Sequence, residues 1–119
     1  MLKIAFHPIY KHELPVGHRF PMEKYDLLPQ QLIYEGTCVE ENFFEPKIPN
    51  NKHFFTVHDP EYFFNLLNIT LSQKEARKIG FPLSEVLVAR EMIIADGTIK
   101  ASKFALKNGI AMNIAGGTH

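Results

Sequence analysis

Six histidines hold most of the reactive chemistry in this 119-residue chain: His7, His12, His18, His53, His58 and His119. Histidine suits proton transfer near neutral pH and ligation of transition metals. The first three lie in one proline-bearing loop, where a metal site would also draw on Glu13 or Asp26. Their intervals match no zinc pattern with fixed short spacing, and surface or packing histidines are the competing interpretation. His119 has a different setting. It follows an apolar stretch beginning at Ile110 and the glycine pair Gly116 and Gly117. Strand, glycines and then a polar side chain is how α/β folds present chemistry at the carboxyl ends of parallel strands. His119 is thus a candidate general base or metal ligand, with an ordinary surface turn as the alternative. The same glycines resemble part of a phosphate cradle, but the lysine and the following helix are missing. No Gly-x-Ser-x-Gly, Walker or Cys-x-x-Cys motif occurs. A sequence that stops on His119, inside such a motif, suggests a truncated protein.

The elements that must position these residues follow from periodicity and capping. Leu2 to Phe6 is a short apolar run that predicts a buried first strand, closed by His7-Pro8. Lys11 to Pro21 is loop. Met22 to Glu35 has helical spacing, with Pro29 splitting or kinking it and Gly36 as a stop. Thr37 to Asn51 permits one short strand, and Lys52 to Val57 a helical turn. Asp59-Pro60-Glu61 predicts a helix start, with Asp59 as N-cap and Pro60 at the first helical position, running through Leu67. Ser72 and Glu75 form a capping box for a short helix that ends at Gly80. The longest helix spans Ser84 to about Asn108. Its predicted buried stripe is Val86, Ala89, Ile93, Gly97, Ala101 and Phe104, with Glu85, Arg90, Glu91, Lys103 and Lys107 solvated. Asn108-Gly109 ends it, and the strand Ile110 to Ala115 follows.

Composition narrows the function classes. Thirteen basic residues balance thirteen acidic ones, so no net field points to nucleic acid or an anionic membrane. A hydrophobic content of 45% argues against disorder. Cys38 stands alone, which excludes an internal disulfide and a cysteine-rich zinc site. There is neither a signal-peptide core nor an eighteen-residue apolar run, so a soluble cytoplasmic protein is expected.

Five stretches, in order, carry a resemblance. Asn113-Ile114-Ala115-Gly116-Gly117-Thr118-His119 looks like the first part of the Gly-Gly-x-His-His signature of the histone deacetylase superfamily. The strand with His7-Pro8 agrees with it, as do Gly17-His18-Arg19-Phe20-Pro21-Met22 with Lys24-Tyr25, Val57-His58-Asp59-Pro60-Glu61-Tyr62, and Ile79-Gly80-Phe81-Pro82. Together they are similar to bacterial members related to the class IV branch, and they cover essentially the whole chain.

The resemblance implies an α/β, three-layer, parallel-sheet fold of the arginase/deacetylase type, of which residues 1–119 would be only the N-terminal part of the catalytic domain. It implies zinc-dependent removal of acyl groups from acyl-lysine or acylated amines. His119 would match the first histidine of the catalytic pair. The second histidine, the zinc ligands (two Asp and one His) and the oxyanion-stabilising Tyr would lie downstream. Gly116 and Gly117 would match the turn beside the substrate channel. Arg19 would line an internal channel for acetate, or else be an exposed arginine. Asp59 would grip the substrate backbone, or else serve only as a helix cap. Zinc is expected for the full-length enzyme and not for this chain, which should be silent alone. No nucleic acid or membrane partner is implied. A sheet cut at the Ile110 strand would leave an edge prone to self-association. The alternative is a stand-alone α/β binding module derived from a deacetylase front end.

Overall fold

The computed structural model describes residues 1–117, so His119 and Thr118 lie outside the described residues. Three strands form, β1 (Lys3–Ala5), β2 (Phe43–Phe44) and β3 (Ala111–Asn113), with five α-helices: α1 (Lys24–Tyr34), α2 (Lys52–Phe55), α3 (Pro60–Leu67), α4 (Gln73–Ile79) and α5 (Glu85–Asn108). Single 3-10 turns occur at Pro8–Tyr10 and Glu40–Asn42.

The helix boundaries sit where local chemistry puts them. Asp59 Oδ1 accepts from the Glu61 and Tyr62 amides at 2.9 and 3.2 Å, satisfying two donors that have no carbonyl partner within α3. Ser72 and Glu75 cap each other reciprocally at the start of α4. Ser84 Oγ accepts from the Leu87 amide at 3.1 Å and opens α5. Gly80 ends α4 with φ +83°, a left-handed conformation that a side chain would oppose. Helix α1 runs through Pro29 without being split. Pro29 is buried, and its missing N–H removes the donor that the Tyr25 carbonyl would ordinarily meet one turn on.

The sheet order is β2-β1-β3, parallel throughout, with Ile4 beside Phe43 and Met112, and Ala5 beside Phe44 and Asn113. Strand side chains alternate between faces. Ala5, Phe44 and Asn113 therefore share one face, and α5 packs along it, with the Phe104 ring 5.0 Å from that of Phe44. Ile4, Phe43 and Met112 share the other. Ile4 there is fully buried, whereas Met112 is exposed on the edge strand, next to exposed Ile110.

These observations overturn the expected three-layer arginase/deacetylase fold. The described residues are mostly helical around a sheet of three strands, each two or three residues long. So small a sheet cannot hold helix layers on both faces, and of the helices only α5 packs extensively along it. Much apolar surface goes elsewhere, into a second cluster where Phe63 of α3 meets Val88 and Met92 of α5 and no strand residue takes part. The first cluster joins Tyr10, Met22, Tyr25, Phe81, Leu87, Ile93, Ile94 and Ala115.

The orientation of α5 also departs from the predicted stripe. Ile93, Gly97 and Ala101 are buried as expected, but Val86 is exposed, and Leu87 and Val88 are buried instead. Arg90, expected in solvent, is completely buried. The reason is that α5 is covered on two sides, by the sheet and by α3. Its apolar arc is then too wide for a single stripe to describe.

Candidate functional site

The carboxyl ends of the three parallel strands lie on one side of the sheet, the side where open α/β sheets bind ligands. Beyond β1 the chain turns at once through Pro8–Tyr10, and beyond β3 it runs through Ile114 and Ala115 to Gly116 and Gly117. The Ile114 amide still reaches the Ala5 carbonyl at 3.1 Å, so the ladder continues one step past the strand. Ala115 is buried, and both glycines are exposed. Among the described residues a Cβ on Gly116 would meet nothing within 4 Å, so no close contact with them demands a glycine at that position.

One side chain fixes this exit. Asn113 Oδ1 accepts from the Tyr10 hydroxyl at 2.8 Å and from the Ala115 amide at 3.3 Å. Its Nδ2 donates to the Ile94 carbonyl at 3.0 Å and to Thr98 Oγ1 at 3.1 Å. Both ends of the amide are thus satisfied, and β3, α5 and the turn after β1 meet on one residue. Gly97 makes the approach possible. A Cβ there would fall 2.7 Å from the Tyr10 hydroxyl, 2.8 Å from Asn113 Nδ2 and 3.1 Å from Ala5 Cβ. Burial pushes the Tyr10 hydroxyl well above the ordinary phenol range, opposed by its bond to Asn113. Nearby Asp96 adds to the rise, and Arg90 opposes it. Tyr10 therefore stays protonated and acts as a donor. Replacing Tyr10 with Phe is expected to cost about 1 kcal/mol, the net worth of one buried hydrogen bond. Urea denaturation would show it, and a midpoint equal to wild type would contradict the bond.

Arg90 is the second anchor. Its Nε donates to the Tyr10 carbonyl at 2.7 Å, Nη1 to Glu91 Oε1 at 2.6 Å, and Nη2 faces Met22 Sδ at 3.8 Å. The guanidinium lies over the Tyr25 ring, 5.1 Å from its centroid. Asp96, also buried, accepts from the Lys47 amide at 2.8 Å and pairs with Lys100 at 2.7 Å. Among the described residues no buried side-chain nitrogen or oxygen lacks a partner.

The candidate residues named from sequence are not gathered at one point by any described contact. Gly116 and Gly117 lie at the sheet edge, with His119 beyond the described residues. Arg19 is exposed in the loop before α1, and no described hydrogen bond or ion pair involves it. Asp59 is exposed at the start of α3, its carboxylate capping the helix. His7, His12 and His18 do not converge: among the described residues no group of three or more His, Cys, Asp or Glu side chains could hold a metal. The residues that do converge, Tyr10, Arg90, Gly97 and Asn113, were missed apart from the packing role of Gly97. A signal for Arg90 existed. Leu87, Arg90, Ile94, Gly97 and Ala101 repeat at three and four residues, the rhythm of one helix face.

No family model matches the sequence. The chain is 38% identical over 116 residues to an uncharacterized protein of Picosynechococcus sp., across 98% of its own length. It spans 39% of the length of that curated relative.

Proposed function

We propose that this chain is the N-terminal portion of a histone-deacetylase-like amidohydrolase that releases acyl groups from acyl-lysine or acylated amines in the cytoplasm. The carrying observation is the ordered set of five stretches from His7-Pro8 to Gly116-Gly117-Thr118-His119, the last leaving the carboxyl end of a parallel strand. The match to a relative of which the chain spans 39% fits a portion of a longer protein. A location outside the membrane accords with the described helices, none of which is long and apolar enough to cross one.

The described residues do not assemble a donor set for zinc, so no step of the reaction is assigned to a metal held by them. What they offer is placement. The Tyr10–Asn113 pair and the close passage at Gly97 hold the exit of β3, from which Gly116 and Gly117 lead to His119. As the match to the first histidine of the catalytic pair, His119 would hold or move a proton next to the reacting amide.

Two assays test the proposal together. The purified 119-residue chain should show no turnover of acetyl-lysine peptides with or without added zinc. The full-length Picosynechococcus relative should deacylate at least one acyl-lysine or acyl-amine substrate, and a chelator should abolish this. A relative inactive across such a panel, or an active isolated chain, would refute the assignment. Extending the reading frame past His119 separates it from the stand-alone module: a second histidine directly after His119 is expected, and a stop codon there would favour the module.

A further inference from the structure

Helix α1 carries apolar side chains on two sides, and the fold covers only one of them. Tyr25 and Pro29 are buried, whereas Leu27, Leu28 and Tyr34 are left 59%, 45% and 88% exposed. At 3.6 residues per turn, Lys24, Leu27, Leu28, Gln31, Tyr34 and Glu35 fall within an arc of roughly 120°. All six are exposed, and the first five line one shallow hollow along the helix. The stripe is therefore continuous and apolar in its middle, the pattern of a helix face that expects a partner.

Its two ends carry opposite charge. Lys24 opens the helix, and its Nζ is held 5.0 Å from the centre of the Phe20 ring and 5.1 Å from that of Tyr25. Glu35, just past the last turn, accepts from Gln31 Nε2 at 2.6 Å. Among the described residues neither charge has an ion-pair partner. They lie about 16 Å apart along the axis. Glu23, next to Lys24, lies off the stripe and lines the hollow of the loop before α1.

We propose that this stripe is the docking face for a second copy of the chain, with two α1 helices packed antiparallel about a two-fold axis. A two-fold contact sets a surface against itself, and this stripe complements itself only when the helices run in opposite directions. Lys24 of each copy then meets Glu35 of the other at both ends, and Leu27, Leu28 and Gln31 meet their counterparts in the middle. The helix dipoles agree, because each positive N-terminus lies beside a negative C-terminus. Parallel packing would set lysine against lysine and glutamate against glutamate. The Lys24 ammonium is already placed by two rings, so less side-chain freedom is lost on pairing it. One helix face is small beside a standard interface of about 1,600 Å², so the dimer should be weak and concentration-dependent. The pairing uses nothing from the deacetylase assignment, and the two tests fail separately.

Sedimentation equilibrium of the 119-residue chain, at concentrations on the order of 1 μM to 1 mM, should show monomer and dimer in exchange. Leu28→Glu puts charge at the centre of the contact, on a side chain already exposed, and should leave a monomer with an unchanged circular-dichroism spectrum. Lys24→Glu and Glu35→Lys should each weaken the dimer on the order of tenfold, since each turns two attractions into repulsions. The decisive sample is a mixture of those two single variants, one of them labelled with nitrogen-15. In an antiparallel pair of one variant with the other, opposite charges again meet at both ends. The mixed dimer should therefore form at the expense of both self-pairs, as native mass spectrometry would show. A monomer at every concentration would overturn the proposal and leave the stripe to a different chain. So would a dimer untouched by Leu28→Glu, such as one through the edge of β3, or a mixture with no preference for the mixed pair.

Discussion

Replacing Arg90 with Ala should destabilise the fold by about 4 kcal/mol, the largest effect expected from any single change in α5. The side chain is completely buried, so its removal leaves a cavity lined by Met22 and Tyr25. It also leaves the Tyr10 carbonyl without its donor, and an orphaned buried acceptor costs about 1–3 kcal/mol by itself. Glu91 contributes little to the loss, because its partly exposed carboxylate can turn to water. Arg90→Met separates the two terms. It fills most of the volume but restores no donor, so it should recover about half of the loss. Urea denaturation of both variants provides the measurement. A midpoint for Arg90→Ala within error of wild type would show that the buried guanidinium contributes nothing net.

Gly97→Leu should cost about 3 kcal/mol, the upper end of the range for overpacking. Even a methyl group there would be 2.7 Å from the Tyr10 hydroxyl and 3.1 Å from Ala5 Cβ. Tyr10 cannot swing away, because it is fully buried and its hydroxyl is bonded to Asn113. Ala5 is fixed in the central strand. Gly97→Ala is the finer test. Helix propensity favours alanine by roughly 1 kcal/mol, so a net loss in that variant would measure the steric contact directly. A stabilised Gly97→Ala would mean that α5 rides further from the sheet than these distances state.

What could be read from the sequence divides along physical lines. Asp59, Ser72 with Glu75, Ser84 and Gly80 act within three or four residues of their own position, so their roles were legible and the helix starts fell within a residue of expectation. The sheet was legible only in part. The β1 and β3 strands were anticipated with longer bounds, and the two residues of β2 were too few to give a pattern. The face of α5 was misjudged because a charged residue was assumed to be solvated. Arg90 is instead accommodated by a carbonyl from residue 10 and a ring from residue 25, neither near it in sequence. Asn113 was read within a motif, but its bond to Tyr10 spans 103 positions, and nothing in the local sequence announces it. The three-layer expectation failed because it was carried by motif likeness, which specifies order along the chain and not how many strands or helix layers these residues build.

The sheet order also sets a timetable for synthesis. β1 lies at the centre of the sheet, yet Lys3 pairs with Ala111, so the central strand leaves the ribosome about a hundred residues before one of its neighbours. At roughly 5–20 residues per second, that interval lasts on the order of five to twenty seconds. During it, Ile4 and Ala5 have at most the short β2 to pair with, and α5, which must cover the face that Ala5 presents, has not been completed. So distant a closure makes folding slow compared with the helices, which can form locally as they emerge. The nascent chain should therefore expose an apolar N-terminal strand until β3 is translated, and it would be a client for holding chaperones in that window.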